Sequence, residues 1–254
     1  MKNLLSYISF GEGKPLVFLH GYLENKYLWK DFFLHFKNNN CIAFDLPGCG
    51  ESELQTEQTI DSMATAVKES LDSLNINDVV LIGHSMGGYV ALSFAEQYSN
   101  MLKGLVLLNS HPFADSEEKR KNREQEIYLI QQGKKSLLIS NFLPKLYASG
   151  YNNEAKFELS RIMAELTCPK GMIACLKAMA NRNDKTHIIH NANFPILWIY
   201  GKQDQLFSAQ LADEFHTENH SLIKIKLNES GHMAMFEAEA EVVKAIKIFL
   251  NLCS

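Results

Sequence analysis

A chain of 254 residues that is 46% hydrophobic and 21% charged is long enough for a full α/β core, and it reads as one globular domain with a small insertion. Its 25 basic and 29 acidic residues leave a formal net charge of −4, with no basic footprint for nucleic acid and no polybasic segment for a membrane surface, so the expected partner is a small molecule. Five scattered cysteines (Cys41, Cys49, Cys168, Cys175, Cys253) with no C-x-x-C pair argue against a disulfide framework or a zinc site. The N-terminus turns polar by Ser9 to Lys14, too soon for a signal peptide, and no apolar run approaches the roughly 18 residues of a membrane helix; a cytoplasmic protein with no metal and no cofactor is expected.

In chain order, residues 4–10 alternate weakly and break at Gly11-Glu12-Gly13-Lys14-Pro15, which predicts an early strand ending in a turn. Leu16-Val17-Phe18-Leu19 is a short apolar run suited to a strand buried on both faces, and it ends in His20-Gly21-Tyr22. From Glu24 to Lys37 the large residues Tyr27, Leu28, Phe32 and Phe36 recur at helical spacing, which predicts a helix. Cys41 to Asp45 reads as a strand and Leu46 to Ser52 as loop; Thr59 to Leu74 is a helix through Ile60, Met63, Ala64, Val67 and Leu71.

Next, the apolar run Val79-Val80-Leu81-Ile82 meets Gly83-His84-Ser85-Met86-Gly87, and a helical pattern follows at once to about Tyr98. A Gly-x-Ser-x-Gly pentapeptide between strand and helix puts the serine on an abrupt turn, where strand and helix pass too close for side chains two positions before or after it. Free N–H groups at the helix start favour negative charge developing beside the hydroxyl. A Gly-rich turn with an incidental serine is the plain alternative, to be tested against the rest of the chain. Gly104 to Leu108 is a further buried strand. From His111 to Ile189 no core strand is evident; charge-rich helical patterns dominate, including Ser116 to Gln132, which predicts a helical cap over residues 111–189 and an α/β core from 1–110 and 190–254. Strands resume at Ile196 to Tyr200 and Leu222 to Leu227, and Ala234 to Leu250 closes the chain as an amphipathic helix. Strands alternating with helices predict a mostly parallel, doubly wound sheet, whose ligands bind beyond the carboxyl ends of the strands.

A serine hydroxyl needs a base to take its proton and a third group to orient the base. The chain offers Asp204 after the strand 196–200 and His232 after the strand 222–227, so the order is Ser85, Asp204, His232, as in α/β-hydrolases. Together with His20-Gly21, Asp45 to Ser52, Gly201-Lys202-Gln203-Asp204 and Gly231-His232, these segments resemble the α/β-hydrolase fold family over nearly the whole chain, similar to small carboxylesterases and to carbon–carbon bond hydrolases. That resemblance implies Ser85 as nucleophile, His232 as general base and then acid, and Asp204 as the carboxylate that fixes the imidazole. It implies an oxyanion hole from the N–H groups of Met86 and Tyr22. Leu23-Glu24, where many relatives carry small residues, departs from the pattern at the mouth of the pocket.

His111 and Phe113, near the strand end at Leu108, and Met233 are candidate substrate contacts; Met163, Met172 and Met179 could line a cap pocket or pack the core. His20, His84 and Asp45 read as structural. A dehalogenase or epoxide hydrolase is disfavoured because those relatives carry an aspartate where Ser85 stands. The expectation is therefore a serine esterase-like hydrolase acting on a small ester, thioester or activated carbonyl; a carbon–carbon bond hydrolase or lyase on the same triad, and a non-catalytic ligand receptor, stay open.

Overall fold

The computed structural model describes residues 4–253. Residues 1–3 and 254, which the expected core also spans, lie outside the described residues. Among the described residues seven strands, β1 (Tyr7–Phe10), β2 (Lys14–Leu19), β3 (Asn39–Phe44), β4 (Val79–His84), β5 (Leu102–Leu108), β6 (Ile196–Gly201) and β7 (Leu222–Leu227), form one sheet in the order β1-β3-β2-β4-β5-β6-β7. Only β1 runs antiparallel to its neighbour. Every residue of β4 is buried, as its continuous apolar run requires for a central strand covered on both faces.

The helices are α1 (Ile60–Ser73), α2 (Met86–Tyr98), α3 (Glu117–Gln131), α4 (Lys135–Phe142), α5 (Glu154–Leu166), α6 (Pro169–Ala180), α7 (Thr186–Asn191), α8 (Ala209–Glu214), α9 (Ala234–Glu237) and α10 (Glu239–Leu250). Their ends follow local chemistry. Thr59 accepts from Ser62 N–H while the Ser62 hydroxyl accepts from Thr59 N–H, a reciprocal cap on α1, and the Ser116 hydroxyl caps α3. Helices α3 to α7 fill the long connection between β5 and β6, and no strand lies there among the described residues.

Two expectations are corrected. The helix predicted over Glu24 to Lys37 is two short 3₁₀ turns, Lys26–Trp29 and Phe32–Phe36. Their rings surround Phe18 of β2, with Trp29 and Phe33 each 5.2 Å from it centroid to centroid, so tertiary packing of bulky rings overrides the 3.6-residue period. The closing helix is broken at Ala238 (φ −135°, ψ 42°) into α9 and α10.

The parallel register aligns the strand ends on one rim. Leu19 pairs with Gly83, Gly83 with Leu107, and Leu108 with Ile199, so the residues that leave β2, β4, β5 and β6 emerge together. The loop after β3 is fixed there by Asp45, which is fully buried. It accepts N–H bonds from Lys26 (2.7 Å) and Glu51 (2.8 Å) and pairs with the buried Lys26 ammonium at 2.7 Å. Removing Asp45 would leave the Lys26 ammonium with only the exposed Glu51 carboxylate, 2.8 Å away, as counter-charge, and would strip the Lys26 and Glu51 N–H groups of their acceptor. Asp45→Ala is therefore expected to lower unfolding free energy by about 3–5 kcal/mol, read as a lowered midpoint in urea.

Candidate active site

Ser85 stands at the junction of β4 and α2 with φ 50° and ψ −117°, a conformation an L-residue holds only when its surroundings impose it. They do. Ser85 N–H donates to Leu108 C=O (3.1 Å), while its own carbonyl accepts from Gly88 N–H (2.9 Å) and the Ser110 hydroxyl (2.7 Å). A Cβ on Gly83 would lie 2.5 Å from Gly87 O and 2.6 Å from Gly88 N, which is the close passage the pentapeptide predicts. Met86 opens α2, so its N–H belongs to the first turn that the helix leaves without acceptors.

His232 and Asp204 come from the loops after β7 and β6. His232 Nδ1 lies 2.7 Å from Asp204 Oδ2, both groups buried. A carboxylate there places the ring proton on Nδ1 and leaves Nε2 as an acceptor. Burial would push the Asp204 carboxyl up, but the His232 ring, the Asn109 amide (3.1 Å to Oδ2) and the Leu206 N–H hold it below the usual aspartate range. The His232 backbone is fixed by Leu146 C=O, which accepts its N–H at 2.9 Å. Glu237 accepts from Gly231 N–H (3.0 Å) and Met233 N–H (3.1 Å).

Ser85 and His232 both line a cavity of about 470 Å³. No hydrogen bond joins them among the described residues; such contacts commonly tighten only around substrate. Tyr22 lines the same cavity, packs edge-on against Phe142 at 5.8 Å, and keeps a buried hydroxyl without a partner. Leu129, Leu138, Met179 and Phe207 supply apolar wall, and Lys119, Arg123, Glu126 and Lys145 supply charge. Burial lowers the Lys119 ammonium and raises the Glu126 carboxyl from their ordinary values. Arg123 is oriented by Asp115, which also accepts from Arg182 Nη1 at 2.6 Å. A larger hollow of about 860 Å³, between His190 and Ser221, holds none of these groups.

Three expected substrate contacts lie outside the cavity wall. His111 is buried, stacked on Phe207 (4.7 Å) and Phe113 (5.7 Å), with Nε2 3.1 Å from the Tyr89 hydroxyl. Burial, with Arg182 nearby, holds its pKa well below the usual histidine value, so it packs as a neutral ring. Phe113 packs with it and against Trp198, and Met233 is fully buried. Of the three methionines, Met179 reaches the cavity, while Met163 and Met172 are buried in the core.

His20 accepts Leu46 N–H at Nε2 (3.0 Å) and so donates from Nδ1 to Gly21 C=O (2.8 Å), a structural role as expected. Sequence reasoning missed Arg123 and Glu237 as neighbours of the site, and it places Asn109 at the strand end only as a residue with no carboxylate to compete with Asp204, not as a donor to it. Asn109 had one available signal, its place at the end of β5, where it takes a positive φ of 47°. Glu24, noted only as a departure, is buried beside Gly21 and His84.

The fold and this arrangement define an α/β-hydrolase, and the family model for the alpha/beta hydrolase fold matches residues 14–239; the chain belongs to that family. It is 27% identical over 249 residues, 94% of each chain, to 2-succinyl-6-hydroxy-2,4-cyclohexadiene-1-carboxylate synthase of Enterobacter sp. (strain 638). Among solved structures it superimposes on a thermophilic esterase from Thermogutta terrifontis, malate bound, with TM-score 0.92 and 26% identity, covering 98% of this chain and 94% of that one. The enol-lactonase from Burkholderia xenovorans LB400 shares the fold with TM-score 0.89 at 19% identity, over 97% of this chain and 96% of the other. No helix among the described residues is long and apolar enough to cross a membrane.

Proposed function

We propose that the protein is a cytoplasmic serine hydrolase that cleaves a small ester, thioester or related activated carbonyl substrate through an acyl-enzyme on Ser85. The observation that carries this is the convergence of three distant side chains: Asp204 bound to His232 Nδ1 at 2.7 Å, and His232 and Ser85 opening on one cavity. His232 Nε2 takes the Ser85 proton as Oγ attacks the carbonyl, then returns it to the leaving group; Asp204 holds the tautomer and balances the imidazolium. The N–H groups of Met86 and Tyr22 receive the oxyanion, and water repeats the sequence to release the acid. Helices of residues 111–189 act as the cap, contributing Leu129, Leu138 and Phe142 to the wall. Fluorophosphonate labelling of the folded protein, mapped by mass spectrometry to the peptide containing Ser85, tests this directly. Absence of labelling would instead favour a non-catalytic receptor.

A second reading, carbon–carbon bond cleavage or elimination on the same triad, is favoured by the cationic groups Lys119, Arg123 and Lys145 in the cavity. They suit a substrate bearing a carboxylate, and the synthase relative carries a carboxylate in its name. Both readings share a prediction. A charge-assisted hydrogen bond contributes about 1.5–3 kcal/mol, so Arg123→Gln should raise KM for a carboxylate-bearing ester by about tenfold or more, while KM for a neutral ester of equal length stays within about twofold. Steady-state kinetics on the matched pair of esters provides the check.

A further inference from the structure

We propose that Glu24 and His84 act as a positioning pair for the serine chemistry proposed above, tying the loop that presents Tyr22 N–H, the turn that carries Ser85 and the backbone of His232 into one buried network. Glu24 Oε2 accepts Gly21 N–H at 2.5 Å and lies 2.9 Å from His84 Nδ1, and His84 Nε2 lies 3.0 Å from His232 C=O. His84 is fully buried and Glu24 is 3% exposed, so none of these partners is exchangeable for water at little cost. The three bonds therefore join the loop after β2, the serine turn and the loop that carries His232, in a single step from one carboxylate and one ring.

Both ring nitrogens of His84 face oxygens: Nε2 donates to His232 C=O, and one further proton lies between Nδ1 and Glu24 Oε2. With Glu24 ionised that proton belongs to the ring, and His84 is an imidazolium. Glu24 balances that imidazolium. Burial opposes charge on both groups, but their mutual attraction and hydrogen bond outweigh it, raising His84 and lowering Glu24 from their ordinary values. His20, His232 and Asp204 also act on the pair. The carboxylate has a mechanical task as well. Leu23 sits at φ 64°, in the left-handed region, and the bond from Gly21 N–H to the Glu24 side chain closes the loop around it. A Cβ at position 21 would lie 2.8 Å from Glu24 Oε2 and 3.0 Å from His84 Nδ1, so any larger residue would push the pair apart. Tyr22 is thereby held between two restrained residues, and it lines the cavity that Ser85 and His232 share.

Glu24→Gln is the discriminating variant because it keeps the shape. A single side-chain atom faces both Gly21 N–H and His84 Nδ1; an amide oxygen in its place can still accept from Gly21 N–H, but it carries no charge to balance a doubly protonated His84, so the bonds are weaker and the ring loses one of its two donated protons. In the parent protein, nitrogen-15 spectra should show His84 protonated at both ring nitrogens near neutral pH, and Gly21 N–H should exchange at least about a hundredfold more slowly than in an unstructured chain. In Glu24→Gln, Gly21 exchange should quicken by about tenfold or more. Its kcat for p-nitrophenyl butyrate should fall by about tenfold to hundredfold with KM within about twofold, somewhat less than the 10²–10³ lost with an oxyanion donor itself. His84→Gln should give the same kcat loss, and the double variant no further loss, which keeps the test informative if one variant folds poorly.

Unchanged kcat in a folded Glu24→Gln protein, or additive losses in the double variant, would overturn the proposal. So would a singly protonated His84 with unprotected Gly21 N–H in the parent. A parent unreactive toward fluorophosphonate removes the hydrolase reading instead, and Gly21 exchange and His84 protonation then decide the network by themselves.

Discussion

Ser85→Ala is expected to reduce hydrolysis of p-nitrophenyl acetate or butyrate by about 10⁴-fold or more and to abolish fluorophosphonate labelling, with no loss of fold. The size follows from the role: without the hydroxyl no acyl-enzyme forms, and what remains is the modest acceleration that binding and oxyanion donors give to direct attack by water. The fold survives because the strained turn is held by backbone contacts. Leu108 C=O takes the Ser85 N–H, and Gly88 N–H and the Ser110 hydroxyl hold its carbonyl; alanine keeps all three. Hydrolysis by the variant at the parental rate, with a parental circular dichroism spectrum, would remove Ser85 from the chemistry.

Asp204→Asn should lower kcat by about 10⁴-fold, the scale attached to a mis-set histidine tautomer. Oδ1 of Asp204 accepts Leu206 N–H (2.8 Å) and Phe207 N–H (3.0 Å), and an asparagine oxygen can keep both bonds. Its amide nitrogen then occupies the place of Oδ2, donates to His232 Nδ1, and forces the ring proton onto Nε2, where it blocks acceptance from Ser85. The same nitrogen would oppose the Asn109 amide, now donor against donor. The variant also carries a pH signature. Because folding lowers the Asp204 pKa, its ionised form stabilises the native state fully above the unfolded aspartate value near 3.9, and that contribution is lost as pH falls through the lower folded value. Urea unfolding followed between about pH 6 and pH 2 should show a shallower acid decline in Asp204→Asn than in the parent. A kcat within about tenfold of the parent would mean that Asp204 does not orient His232.

How much of this was legible beforehand differs from segment to segment. The strand-to-helix turn at Ser85 was readable because the clash that requires Gly83 is local, with Gly87 and Gly88 of the same turn, whereas Gly87 answers to the end of β2, where a Cβ would lie 2.3 Å from Leu19 O. The ends of α1 and α3 were readable for the same reason, since Thr59 and Ser116 cap their own helices. The segment 24–37 was misread as one helix because its ring spacing suits a helix face and a cluster around Phe18 equally well, and only β2 arbitrates. His111 looked like a substrate contact from its place after β5, yet Phe207, nearly a hundred residues away, covers it. Arg123 sits on a charge-rich helix with many similar residues, and Asp115 with Arg182 decides that this one is fixed at the cavity.

Sequence alone determined the family-wide frame: the buried strand runs, the serine turn, and a carboxylate and an imidazole placed after later strands. These are read from short patterns because each is imposed by backbone sterics, capping or burial within a few neighbouring residues. Tertiary structure alone decided which polar groups share a buried hydrogen bond, as with Glu24 and His84, 60 positions apart. A desolvated charge gains or loses several kcal/mol according to whether its partner lies within about 3 Å, and linear spacing carries no information on that distance.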